Sequence, residues 1–108
     1  MSICVHLYYR GQNGSARRFA EAMEQSGLAD AIRAQEGNLQ YAYFVPFNDP
    51  ETVLLIDRWR DQAALDAHHA GPLMARLAAL REQYDLHMTA RRFTEAEGPA
   101  SDQRFLRK

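Results

Sequence analysis

Residues 52–60 read TVLLIDRWR. In an extended strand successive side chains point to opposite faces, so Val53, Leu55, Asp57 and Trp59 fall on one side and Thr52, Leu54, Ile56, Arg58 and Arg60 on the other. Apolar residues occupy both sides, which is the pattern of a strand in a sheet covered on both faces. A chain of 108 residues supplies one core and buries roughly two thirds of its unfolded surface. Its own helices can cover one face, and the other is left for a second subunit.

Outward from this strand the chain reads as alternating elements. NLQYAYFVPF, residues 38–47, has strand composition, and Asn48-Asp49-Pro50 makes the turn of a hairpin with 52–60. ICVHLYY, residues 3–9, gives a first strand that stops at the turn cluster Arg10-Gly11-Gln12-Asn13-Gly14. LHMTARRFT, residues 86–94, gives the last. Between the first two strands Ala16, Phe19, Ala20 and Met23 recur at helical spacing, Gly27 interrupts, and Leu28 to Gln35 resumes as a second helical piece before Gly37. After the hairpin Asp61 can cap a helix over 62–70, and Pro72 suits the first turn of a continuation to about Tyr84 with Leu73, Leu77 and Leu80 as its apolar line. The order strand, helix, strand, strand, helix, strand is the ferredoxin-like α+β plan, βαββαβ, with the helices on one face of a four-stranded antiparallel sheet. Residues 1–94 form this single domain. Residues 95–108 turn polar and read as a tail or arm in which Phe105 and Leu106 can dock on a neighbour.

Composition narrows the function classes. Thirteen basic and fourteen acidic residues leave a formal charge of -1, which argues against a nucleic-acid surface. The single cysteine, Cys4, excludes an internal disulfide, and no Cys/His spacing suits zinc, so no metal is expected, although His6 or His87 can approach from the sheet. The N-terminus has no basic leader and no apolar run approaches a bilayer span, so the expectation is a cytoplasmic protein with no membrane partner.

The candidate chemistry centres on AALDAHHAGP, residues 63–72. With Leu65 as the centre of the inward stripe, and about 100° per residue, His68 falls roughly 60° to one side and His69 roughly 40° to the other. A ring there is either an acid or base at the mouth of a cavity or a hydrogen-bonded boundary residue. Trp59 ends its strand on the face of Asp57; Tyr41 and Tyr43 share a face of the second strand, as do His6 and Tyr8 of the first. These can line a small-ligand pocket or simply pack across strands. Asp57 beside Arg58 reads as a structural ion pair. Gly11 and Gly14 lack the spacing of a phosphate loop.

The string Glu36 to Leu80 resembles the antibiotic biosynthesis monooxygenase family. The matching pieces are Glu36-Gly37-Asn38, the Asp49-Pro50-Glu51 turn, Asp57, Arg58 and Trp59 at the strand end, and Ala64-Leu65 followed by His68. The resemblance implies a dimeric α/β barrel in which two such sheets pack face to face as a homodimer. It also implies a pocket between sheet and helices where a quinol or polycyclic phenol is oxidised by O2 with no metal, flavin or haem. Trp59 and His68 match the family's strand-end tryptophan and helix histidine, and Asn38 and Tyr41 match residues near the start of the second strand. Leu73 stands where many members have a histidine. On this basis His68 is the expected base and His69 its substitute. Trp59 and Tyr41 are walls, and Asn38 or Arg92 partners for a developing oxyanion. Two other readings stay open: a non-catalytic dimeric binding or stress-response module holding an aromatic ligand, and a haem-binding or haem-degrading protein.

Overall fold

The computed structural model describes residues 2–108. β1 (Ile3–Arg10), β2 (Asn38–Phe44), β3 (Thr52–Trp59) and β4 (His87–Thr94) form one antiparallel sheet in the order β2-β3-β1-β4. α1 (Ser15–Gln25) and α2 (Leu28–Arg33) lie in the first crossover, α3 (Gln62–Ala70) and α4 (Leu73–Gln83) in the second. This is the ferredoxin-like α+β plan that the order of the segments predicts. β2 ends at Phe44 rather than at residue 47, because Pro46 has no N–H to give to a ladder and leads directly into the turn.

The alternation along β3 holds. Val53, Leu55, Asp57 and Trp59 are buried under the helices, while Leu54, Ile56 and Arg58 are half-buried on the outer face. Thr52 is the departure, buried although it belongs to the outer set; its hydroxyl donates to Asp49 Oδ2 at 2.6 Å and closes the hairpin turn. The core joins Tyr9 of β1, Phe19 and Met23 of α1, Leu28 and Ile32 of α2, Leu65 of α3 and Leu77 of α4 around Trp59.

Two local devices set the helices in place. Gly14, left-handed at φ 79, opens α1 without a side-chain cap. Instead, Glu51 reaches back from the hairpin turn and accepts from the backbone N–H groups of Asn13 at 2.6 Å and Gly14 at 2.9 Å, a negative charge at the positive end of the helix. Asp61 caps α3 as expected, accepting from Ala64 N at 2.9 Å. Gly37, at φ 85, carries the chain under α3 so closely that a Cβ would lie 2.4 Å from the Ala64 Cβ, and that approach brings Gln35 within reach of the far end of the helix.

The helical layer does not extend over β4, which is exposed along its whole length. Among the described residues no helix covers the outer face of the sheet either. Cross-strand rows there place Phe44, Leu54, Tyr8 and Thr89 side by side, then Ala42, Ile56, His6 and Arg91. Beyond Thr94 the segment 95–108 is exposed and holds one six-residue 3-10 helix, Ala100–Phe105. No helix among the described residues is long and apolar enough to cross a membrane.

Candidate functional site

Trp59 and His68 meet at one end of the inner face, where β3 finishes. Their rings stack at 4.8 Å between centroids and 25° between planes, with Trp59 wholly buried and His68 3% exposed. The sequence makes this contact because Trp59 is the last inward residue of β3 and α3 starts three residues later at Gln62, so the helix returns directly over the strand end. The buried stripe of α3 includes Ala64 as well as Leu65 and His68. Averaging these directions turns the inward axis by about 50° toward His68, which makes that ring nearly central and sends His69 to the flank. His69 is exposed, its ring 5.7 Å from that of His68.

Gln35 fixes the histidine from the other side. Its Oε1 lies 2.6 Å from His68 Nδ1; an amide oxygen only accepts, so Nδ1 carries the proton and Nε2 keeps its lone pair. Burial, helped by the fields of His69 and Arg81, lowers the His68 pKa to about 4. At neutral pH the ring is therefore a neutral imidazole with Nε2 free to accept a proton.

Asp57 is the polar group that the sequence reading undervalued. The Trp59 Nε1–H donates to its Oδ1 at 2.7 Å, and the residue is 5% exposed. Desolvation raises its pKa to about 7 against the opposing pull of the Trp59 hydrogen bond and of Arg81. The expected ion pair with Arg58 does not form: adjacent strand residues project to opposite faces, and Arg58 pairs with Glu95 on the outer side. Arg81, from α4, donates through Nη2 to the Tyr9 hydroxyl at 2.9 Å and lies 5.4 Å over that ring. Its buried Nε has no hydrogen-bond partner among the described residues.

The other sequence candidates separate into two groups. Tyr41 and Tyr43 share the inner face, their hydroxyls 2.9 Å apart, and burial raises both phenols above their ordinary pKa. Leu73 is half-buried at the start of α4 and packs against the core. Arg92 also faces the helices but donates to Gln62 Oε1 across the gap between β4 and α3. Asn38 is spent on the backbone, its Nδ2 reaching Gln40 O and Arg58 O at 3.4 Å each beside the bulge in the β2–β3 pairing. His6 and Tyr8 lie on the outer face, away from His68, with His6 against Phe93 at 4.8 Å.

Asp57 was legible, since it sits two residues from Trp59 on the same face. Gln35 and Arg81 carried no local signal, because only tertiary folding brings them to the site. The helices stop short of β4. Val5 and Leu7 of β1 are half-buried there, with Leu73 and Met74 of α4 half-buried against the same core and Met88 of β4 47% exposed. The inner side of β4 is thus left uncovered beside Val5 and Leu7, and Arg92 reaches across to Gln62 of α3.

Comparison with known proteins gives a family and a fold. The profile described as antibiotic biosynthesis monooxygenase matches residues 2–80. YcnE of Bacillus subtilis (strain 168), classed provisionally as a monooxygenase, is 35% identical over 46 residues, 43% of this chain and 48% of YcnE, so the match spans about half of that relative. PA3566 from Pseudomonas aeruginosa superposes with a TM-score of 0.75 at 22% identity, covering 89% of this chain and 95% of its own. SnoaB from Streptomyces nogalater, described as a cofactor-independent oxygenase, gives 0.76 at 13% identity over 92% and 97%. At these identities the two structures are alike in fold.

Proposed function

The chain belongs to the antibiotic biosynthesis monooxygenase family, and we propose that it oxidises a quinol or another electron-rich phenolic or polycyclic aromatic substrate with O2, without a bound cofactor, as a homodimer. The observation that carries this reading is the Trp59–His68 stack: a buried neutral imidazole held through Nδ1 by Gln35, with the lone pair left on Nε2. SnoaB, alike in fold, is described as a cofactor-independent oxygenase, which supports the same class of chemistry here.

The chemistry asks little of the protein. His68 Nε2 takes a phenolic proton, and the phenolate gives one electron to O2. The aryloxyl radical and superoxide then combine at a ring carbon to give a peroxide. The proton on His68 passes to the peroxide. Loss of the remaining C–H proton with cleavage of O–O leaves a carbonyl and water, so one oxygen atom enters the product and the other leaves reduced. A dry, low-dielectric site favours these steps because the charges that develop are not diluted by solvent. Leu73 and Met74 supply the apolar wall, and Arg81, whose buried Nε has no partner among the described residues, is a donor suited to a developing oxyanion.

The homodimer reading rests on the outer face. Phe44 and Phe93 are exposed there, and Leu54, Ile56 and Tyr8 are half-buried between them. A contiguous apolar surface of this kind is what a self-complementary interface covers. Sedimentation at micromolar concentration is expected to give twice the 12.4 kDa chain mass; a monomer mass would overturn the dimer.

The enzymatic test is O2 uptake by metal-free protein over hydroquinones, naphthoquinols and anthrones. Uptake above the autoxidation blank is expected, falling about 100-fold in His68→Ala, the usual contribution of a positioned base, and little in His69→Ala. Full turnover in a folded His68→Ala protein would remove the base assignment. Thermal stabilisation by these compounds with no O2 uptake would replace the enzyme with a binding module.

A further inference from the structure

Asp57 is a buried carboxyl that the proposed chemistry leaves idle. Among the described residues no cation stands within salt-bridge distance of it, and the one hydrogen bond it makes there comes from the neutral indole of Trp59. Desolvating a carboxylate without a paired charge is expensive, and the usual outcome is that the group keeps its proton. Of the facing elements only α4 brings a cation whose field favours the carboxylate, and burial outweighs it. α4 presents Arg81, whose guanidinium is committed to Tyr9. α3 presents His68, neutral at pH 7, with exposed His69 behind it. β1 presents Val5 and Tyr9, and β2 presents Tyr41, and neither phenol is ionised at pH 7. From β4, Arg92 lies in the same cross-strand row beyond Val5, but its guanidinium goes to Gln62. From α2, Arg33 goes to Glu24, Asp30 and the Tyr41 carbonyl.

We propose that Asp57 is a positioning residue of the site: as an un-ionised acid it holds the Trp59 indole through Nε1–H, and the indole holds the His68 ring flat against it, with no negative charge nearby to trap a proton on the imidazole. This deepens the oxygenase reading and rests on it for its use. A carboxylate at this place would stabilise an imidazolium, so a proton taken from the substrate would be retained on His68. The un-ionised acid leaves that proton free to move on to the peroxide.

Trp59 is the only tryptophan of the chain, so its fluorescence reports on this contact without substrate. A negative charge placed at the pyrrole end of an indole shifts emission to the red, because the excited state has less electron density there. Wild-type protein is expected to show one red-shifting transition with its midpoint near pH 7. The transition should vanish in Asp57→Asn, return in Asp57→Glu, and persist in His68→Gln and His69→Ala. The infrared C=O stretch of a protonated carboxyl, lost over the same pH range in wild-type protein, tests the assignment without any variant. A transition that survives in Asp57→Asn, or wild-type protein with neither signal between pH 5 and 9 while its circular dichroism is constant, would overturn the inference. These readings are independent of turnover. If they hold while no quinol or anthrone is oxidised, the oxygenase reading falls and the role of Asp57 in the stack stands.

Discussion

The two faces of the sheet are built from the same strands and handle polar groups in opposite ways. On the outer face charge is met by charge or water: Arg58 pairs with Glu95, Arg91 lies over Phe93 at 5.5 Å, and the apolar residues between them are left partly open. On the inner face the polar groups of Asp57, Tyr41, Tyr9 and His68 are taken out of water and meet mainly neutral partners. The outer arrangement is comfortable for an isolated chain except for its apolar area, the part that the proposed homodimer would cover. The inner arrangement moves the proton affinities of His68 and Asp57 away from their ordinary values, and burial is the main cause of both shifts.

Neighbouring residues of β3 give the largest contrast. Leu55 is almost wholly buried in the core and Leu54 is half-buried on the outer face. Leu55→Ala should lose about 2–5 kcal/mol, the range for a buried leucine that leaves a cavity. Leu54→Ala should lose much less in dilute monomer and instead weaken association. Urea unfolding and sedimentation equilibrium on the same two variants separate the effects. Equal losses for both would mean that the faces do not differ.

Asp57→Asn sharpens the contrast on the inner face. The folded-state pKa of Asp57 is raised from 3.8 to about 7, so the unfolded chain gives up this proton first. Stability from this group is complete below pH 3.8, is lost as pH rises to about 7, and is flat beyond. His68 runs the other way: lowered from 6.5 to about 4, its contribution is complete above pH 6.5 and is lost as pH falls to about 4. Between pH 4 and 6.5 the two slopes oppose and nearly cancel in the wild type. In Asp57→Asn only the histidine slope is left, so stability should rise with pH across that window. Above pH 7 the variant should be more stable than wild type by roughly 2–4 kcal/mol. Denaturant midpoints at a series of pH values check this, and parallel profiles for the two proteins would show that Asp57 is ionised in the fold.

The fold was legible because its signals are local and periodic. TVLLIDRWR alternates, Asp61 precedes a helix, and Pro72 follows a break, and each produces the same element in the structure. The half-buried residues of the sheet were legible for the same reason. What was not legible depends on residues distant in sequence. Glu51 closes the N-terminus of α1 from 37 residues away, Gln35 reaches His68 across 33, and Arg81 reaches Tyr9 across 72. The side of α3 on which the inward axis falls is of this kind too, since the small residue Ala64 is turned inward by its contact with Gly37. That contact separates the roles of two adjacent histidines that spacing alone had left nearly equal.

The smallest expected effect concerns that pair. His69 is exposed, so His69→Ala should change stability by no more than about 0.5 kcal/mol. It nevertheless contributes to the field that lowers the His68 pKa, after burial itself. Removing it should move the His68 titration upward from about 4 toward, but not to, the ordinary value, because burial against Trp59 and the Gln35 hydrogen bond are untouched. Imidazole proton resonances followed through a pH titration read this directly. An upward shift with unchanged stability makes His69 a modulator of its neighbour's basicity. A His68 resonance that already titrates near 6.5 in the wild type would place that ring in water and erase the difference between the two faces at the position where it matters most.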